Sequence, residues 1–294
     1  MNKNMIKIDK KILKKIYQPR PKNAKKYDFG LLLVIGGSNF YSGSPALSAL
    51  AAFRAGVDMV RIVAPKRAAD IIASFSPDLA AYPLNEEWLS KKSLSVLLTM
   101  TESAKLVANG RTAVVLGGGL GRSQETQEAV LEYLKQIDTD IPVVIDADAI
   151  YAVANQPQLI SGRHFLFTPH SYEFFVLTGQ KLTSASLEEK IKIVETEARR
   201  LKTTILLKGE TDIVSNGQQT AINQTGNAYM TVGGCGDTLA GICGALLARG
   251  VDLFIAAQAG AYLNGRAGEM AAQQYGEGLT ATDLIEAIPR AIKK

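Results

Sequence analysis

Cysteine and histidine are scarce in this 294-residue chain, with two of each. Cys235 and Cys243 cannot build a disulfide scaffold or a four-cysteine zinc site. A redox pair is not expected either, because eight residues along one helix separate them by about 12 Å. His164 and His170 leave no material for a multi-histidine metal centre. Long apolar runs are missing as well. Nothing approaches the about 18 uninterrupted apolar residues of a membrane span. The N-terminal MNKNMIKIDKK has neither the apolar core nor the small-residue cleavage site of a secretory signal, so the cytoplasm is the expected compartment. Two nucleotide signatures are also absent. No GxxxxGK[ST] occurs, which excludes a P-loop enzyme. The stretch GGGLGR (117–122) fails the G-x-G-x-x-G dinucleotide pattern.

The formal charge of +5 would suggest an anionic macromolecular partner. Its distribution argues otherwise. Residues 1–26 hold ten basic residues and one acid, so they carry +9, and the remaining 268 residues carry −4. Nucleic-acid and membrane partners are therefore not expected. The reading is a basic N-terminal arm (1–26), with DKKILKKIYQPR as a short helix lying on the domain or on a neighbouring subunit, followed by one catalytic domain (27–294).

From residue 30 the chain alternates strand-like and helix-like segments. Continuous apolar runs mark strands buried on both faces at 31–36, 59–65, 112–119, 142–148, 164–170 and 203–209. Between them, Pro45 opens and Gly56 closes a helix, and Ser123 caps another. The stretch 186–202 reads as a charged, solvent-facing helix. Asn216-Gly217 marks a hairpin within 212–223. Three helical segments follow, near 238–249, 252–275 and 280–290. This order predicts an α/β fold, a three-layer α/β/α sandwich around a mostly parallel sheet.

Ligands of such sheets bind at the carboxyl ends of the strands. Five consecutive strand ends here carry glycine or polar residues. They are GGSNFYSGSP (36–45), GGGLGR, Asp146 with Asp148, Thr168 to Glu173, and Lys208 to Asp212. The most telling element is Gly233-Gly234-Cys235-Gly236-Asp237 before an apolar helix. Glycines let backbone N–H groups converge, and the helix N-terminus adds its dipole, so the segment predicts an anion pocket. A carboxylate at that point can take a proton from a hydroxyl as a phosphoryl group arrives. The preceding glycines and the other strand-end motifs favour that reading of Asp237 over a simple helix cap. Asp146 and Asp148 either cap the helix after them or touch a phosphate-bound metal. His164 is read as structural.

The segment GGCGDTLAGICGALLARG resembles the anion-hole and catalytic-Asp segment of ribokinase-like enzymes. With VLGGGLGR, VVIDADAI, FTPHSYEFFVLTG, LLKGETDIV, TGNAYMTVGGCGD and GLTATDLIEAIP, the chain resembles the NAD(P)H-hydrate dehydratases over roughly residues 19–289. The resemblance implies a ribokinase-like fold and an ADP-dependent lyase that returns the S form of hydrated NADH or NADPH to the reduced cofactor, yielding AMP and phosphate. It implies Asp237 as the base and Gly234, Cys235 and Gly236 as the anion hole. Lys208, Gly209, Glu210, Thr211, Asp212 and Gly236 would meet ADP. Ser44, Gly119, His170 and Asp237 would meet the hydrated cofactor. Magnesium would accompany ADP, with no ligand assigned and Glu173 a candidate. A homo-oligomer such as a tetramer is implied. So is a separate NAD(P)H-hydrate epimerase as functional partner, since the fused epimerase domain of some members is not in this chain.

The chain departs from the family at several points. KKYDFG stands where HKGxxG is frequent, PHSYE replaces PHPGE, Cys235 takes a place often held by Thr, and Ser44 one often held by Ala. Asp237 and the pocket glycines remain. Two rival readings use the same pocket. One is a ribokinase-like kinase that phosphorylates a vitamin or sugar alcohol with ATP. The other is a nucleotide sensor without turnover, against which Asp237 argues because a sensor needs no base.

Overall fold

The described residues begin at a sheet edge. In the computed structural model, which describes residues 5–293, β1 (Met5–Lys7) and α1 (Lys11–Ile16) come first. Then follow β2 (Leu31–Ile35), α2 (Gly43–Arg54), β3 (Met59–Pro65), α3 (Lys66–Phe75) and β4 (Ala80–Leu84). The middle of the chain forms α4 (Leu94–Val107), β5 (Thr112–Leu116), α5 (Gln124–Gln136), β6 (Val143–Ile145), α6 (Asp148–Val153), α7 (Pro157–Ile160) and β7 (Phe165–Phe167). Next come α8 (Ser171–Thr178), α9 (Leu187–Leu201), β8 (Thr204–Leu207), and the hairpin of β9 (Asp212–Ser215) and β10 (Thr220–Asn223). The chain closes with α10 (Cys235–Ala248), α11 (Leu253–Tyr275) and α12 (Ala281–Lys293).

The ten strands among the described residues form one sheet in the order β1-β10-β9-β8-β7-β6-β5-β2-β3-β4. Only β9 runs against the others among the described residues. Both faces are covered. Leu32, Val34, Val115 and Val144 pack with α2, α3, α10, α11 and α12 on one side. Leu33, Ile35, Val114 and Ile145 pack with α4 to α9 on the other. Neighbouring residues of one strand enter opposite cores, which is why these strands read as unbroken apolar runs. The three-layer sandwich is the expected one.

Two strands were not expected. β4 carries Pro83 and is largely exposed. It tolerates proline because it is an edge strand. β1 lies inside the lysine-rich segment. The described part of that segment lies on the domain. β1 pairs in parallel with β10, and Ile8 and Leu13 enter the core. Arg20 pairs with Asp58 at 2.7 Å and lies 3.8 Å from the centroid of the Phe29 ring. The apolar residues between the lysines are what tie it down. The short helix expected there is α1. Likewise α9 is not wholly solvent-facing, because Val194, Ala198 and Leu201 are buried.

The sheet places its switch point between β2 and β5. From β2 the chain steps outward to β3 and β4, and then returns to add β5 on the opposite side of β2. The loops after β2 and β5 therefore diverge and leave a crevice at the carboxyl edge. Backbone contacts fix its floor. Gly37 N–H donates to Gly118 C=O at 2.8 Å.

Helix α10 lies against α2 beside this crevice. A Cβ at Gly241 would stand 2.1 Å from the Ser48 carbonyl oxygen, so only glycine permits this approach. Gly241→Ala must part the helices, and the expected loss is about 3 kcal/mol, the upper range for overpacking a tight core. Urea unfolding measures it. A loss below about 0.5 kcal/mol, the level of an indifferent surface change, would contradict so rigid a crossing.

Candidate active site

The α10 N-terminus has the geometry of an anion pocket. Gly234 precedes the helix with φ +97°, a left-handed conformation that suits glycine. The first helical backbone bond at this end runs from Thr238 N–H to Gly234 C=O, at 3.0 Å. The N–H groups before Thr238 have no helical acceptor. Those of Gly234, Cys235 and Gly236 are thus available to an anion.

Asp237 sits in the first turn of α10. Its Oδ1 accepts the Ser44 hydroxyl at 2.5 Å, and Ser48 Oγ donates to its backbone carbonyl at 3.0 Å. Gly118 closes in from β5, where a Cβ would stand 3.0 Å from Asp237 Oδ1. Burial pushes the Asp237 carboxyl up to about 6, against the Ser44 hydrogen bond and the Lys208 charge, and with help from Asp146 and Glu173. A carboxylate there is a proton acceptor matched to neutral pH.

Lys208 faces this pocket. Its Nζ donates to Asp146 Oδ1 at 3.0 Å and lies 3.7 Å from Glu173 Oε2. A Cβ at Gly236 would be 3.4 Å from the same nitrogen, which places the ammonium beside the anion hole. Burial alone would push the Lys208 pKa down; the charges of Asp146 and Glu173 outweigh it and raise it. Lys208 is therefore held as a cation where a phosphoryl group would arrive.

The aspartates after β6 divide their work. Neither side chain caps α6, whose N-cap is Ala147. Asp146 accepts from Thr168 Oγ1 at 2.8 Å as well as from Lys208. Asp148 accepts the Gly121 N–H at 2.9 Å and pairs with Arg122. Ala147 between them has φ +47°, a strain of about 1–3 kcal/mol of the kind found near functional sites.

His170 is the N-cap of α8. Its Nδ1 accepts the Tyr172 N–H at 3.1 Å, while Glu173 accepts the His170 N–H at 2.9 Å. His170 also lines a cavity of about 800 Å³ with Lys208, Gly209, Glu210, Asp212 and Gly236. It therefore shares a wall with the stretch Lys208 to Asp212. Within that stretch, Asp212 accepts from Gly209 N–H and Asn223 Nδ2, both at 3.0 Å. Burial pushes Asp212 up to about 6. Gly119 (φ +70°) lies in the crevice, where a Cβ would stand 2.8 Å from the Tyr41 ring.

Sequence reasoning missed the far wall of the cavity, formed by Thr225, Asn227, Met230 and Asn264. The TGNAYMT segment was a visible signal. Asn264 was not, because it lies in an apolar helix, where it bonds Thr238 and the Cys235 carbonyl. Among the described residues no three His, Cys, Asp or Glu side chains form a metal cage. No described helix is long and apolar enough to cross a membrane.

Cys235 lines the cavity, yet its thiol is pushed up to about 11 by burial and by the nearby Asp237. Cys243 is buried and raised too. Reactivity follows the thiolate. Iodoacetamide at pH 7.5 is thus expected to leave both unmodified in the native protein while free cysteine reacts completely. Mass spectrometry reads this, and prompt alkylation of Cys235 would contradict it.

Residues 32–290 match the family model described as NAD(P)H-hydrate dehydratase. The chain is 42% identical over 275 residues to the bifunctional NAD(P)H-hydrate repair enzyme of Pyrobaculum aerophilum, covering 94% of this chain and 53% of that one. It is 36% identical over 281 residues to the ADP-dependent (S)-NAD(P)H-hydrate dehydratase of Cenarchaeum symbiosum, covering 96% and 94%. The chain thus spans about half the length of the bifunctional relatives it matches. It superposes with a TM-score of 0.81, at 25% identity and 99% coverage of both chains, on the ADP/ATP-dependent NAD(P)H-hydrate dehydratase of Bacillus subtilis, crystallised with ATP and Mg2+. Its sheet order, its glycine-built pocket and these matches lead to one assignment: the chain has a ribokinase-like fold and belongs to the NAD(P)H-hydrate dehydratase family.

Proposed function

We propose that the protein dehydrates the S form of hydrated NADH or NADPH at the expense of ADP, giving the reduced cofactor, AMP and phosphate. It is then a carbon–oxygen lyase of cofactor repair. The observation that carries this reading is the Asp237 carboxylate, poised near pH 6 beside a helix N-terminus and the Lys208 ammonium. Similarity to the ADP-dependent relative supports the choice of nucleotide.

Asp237 takes the proton of the ring hydroxyl as its oxygen attacks the terminal phosphorus of ADP. The P–O bond to AMP breaks, and the N–H groups of Gly234, Cys235 and Gly236 hold the charge on the transferring group. Lys208 adds its positive charge there. The C–O bond of the phosphorylated ring then breaks, phosphate leaves with the electron pair, and the neighbouring carbon gives up a proton. Lys208, Gly209, Glu210, Thr211, Asp212 and Gly236 bind ADP. Ser44, Gly119 and His170 position the hydrated cofactor. Asp146 and Glu173 are engaged by the Lys208 ammonium, so magnesium would come with the phosphates of ADP, with Glu173 as the candidate protein ligand. Bound there, magnesium would neutralise phosphate charge.

The setting is the cytoplasm, with residues 27–294 as the catalytic domain, in a homo-oligomer such as a tetramer. A separate epimerase supplies the S form. Nucleic acid and membrane take no part.

The direct assay supplies hydrated NADH, magnesium and ADP or ATP, and follows the near-ultraviolet absorbance of reduced nicotinamide. Recovery is expected, faster with ADP. No recovery with either nucleotide, together with phosphorylation of a vitamin alcohol, would replace this reading with the kinase. Asp237→Asn is expected to lose about 10²–10⁴ in turnover while still binding ADP; turnover near wild type would remove Asp237 as the base.

Turnover should also rise with pH through about 6, because the base must be ionised. Ser44→Ala removes a donor that stabilises the carboxylate, so the acidic limb should move about one unit higher. A limb that stays in place would show that Ser44 does not set it.

A further inference from the structure

One charged group at the crevice has no role in this scheme. Arg122 ends the glycine loop after β5. Its Nε donates to Asp148 Oδ1 at 2.6 Å, and its guanidinium lies 3.7 Å from the centroid of the Tyr151 ring. The other Asp148 oxygen accepts the Gly121 N–H. One largely buried carboxylate, its side chain 15% exposed, thus fixes both the loop and the guanidinium. The Arg122 side chain is 53% exposed, and its Nη1 and Nη2 bond no protein atom among the described residues. A guanidinium held along one edge and one face presents its free donors in a set direction, a geometry suited to phosphate oxygens.

Its position matches the substrate. The reacting end of a hydrated dinucleotide must reach Asp237 and Ser44, beside Gly118. Arg122 is four residues further on, at most about 14 Å of extended chain. Positive φ at Gly119 (+70°) and Gly121 (+82°) bends the loop and shortens that reach. The diphosphate bridge of a dinucleotide needs a cation in a domain that is net negative. Neither loop at the switch point, 36–45 or 117–122, holds another lysine or arginine.

We propose that Arg122 binds the diphosphate bridge of the hydrated dinucleotide while Asp237 takes the proton of its ring hydroxyl. This rests on the dehydratase reading. Asp148 and Tyr151 act as positioning residues that aim the guanidinium. Arg122 thereby selects phosphate-bearing substrates over the bare riboside, and it acts on substrate capture and not on the chemical step.

The test compares hydrated reduced nicotinamide riboside, mononucleotide and dinucleotide as substrates at saturating ADP. Arg122→Gln is expected to raise KM for the two phosphate-bearing substrates about tenfold to a hundredfold, with kcat retained. The riboside, which has nothing for Arg122 to hold, should react as with wild type. Tyr151→Leu, which keeps the Asp148 pair, should give a smaller loss confined to the same two substrates. A variant loss equal for all three substrates would show that Arg122 only braces the loop and would overturn the proposal. So would an unchanged KM for the dinucleotide. If wild type turns over none of the three, the dehydratase reading itself fails.

Discussion

The close crossing of α10 over α2 is the constraint on which the site depends. Gly241 lies against the Ser48 carbonyl with no room for a side chain. That approach carries Asp237, one helical turn earlier, onto Ser44 and Ser48. The carboxylate thereby loses water and gains one hydroxyl donor. The balance of the two leaves its pKa near 6 and not near 4. The same turn of α10 leaves three N–H groups without a helical acceptor, so the proposed base and anion hole would be parts of one helix end. Their relative position is set by backbone geometry more than by side-chain rotamers.

The electrostatics follow from where the charges lie. The global excess of positive charge sits in residues 1–26, far from the chemistry in sequence, and the rest of the chain is net negative. On the proposed reading, anionic ligands would be met by N–H groups, by Lys208 between Asp146 and Glu173, and by Arg122 on Asp148. Each cation is fixed by a largely buried carboxylate. Such pairing keeps the cation charged in a crevice and aims it.

Much of this was legible in the chain. Strands buried on both faces leave unbroken apolar runs, so the inner sheet could be read directly. β1 and β4 could not, because edge strands bury too little to leave a pattern, and Pro83 argues against a strand. The candidate site was visible as glycine and polar residues at five strand ends, with Asp237 after the densest glycines. What could not be read were pairings between distant residues. Asp146 with Lys208, 62 residues apart, is one, and Asp148 with Arg122, 26 apart, is another. The capping of α8 by His170 was hidden too, since a histidine is not a usual N-cap. Asn264 bonding the start of α10 left no trace in an apolar helix.

On the proposed reading, the fold itself holds the Asp237 carboxylate ready as a base near neutral pH. The most direct measurement is a titration of the aspartate carboxyl carbons by NMR on selectively labelled protein without ligands, with Asp237→Asn to assign the signal. The expected result is a carboxyl that titrates near 6 and vanishes in the variant, distinct from the Asp212 carboxyl, expected to titrate near 6 and to remain. An Asp237 signal that titrates near 4 would contradict it.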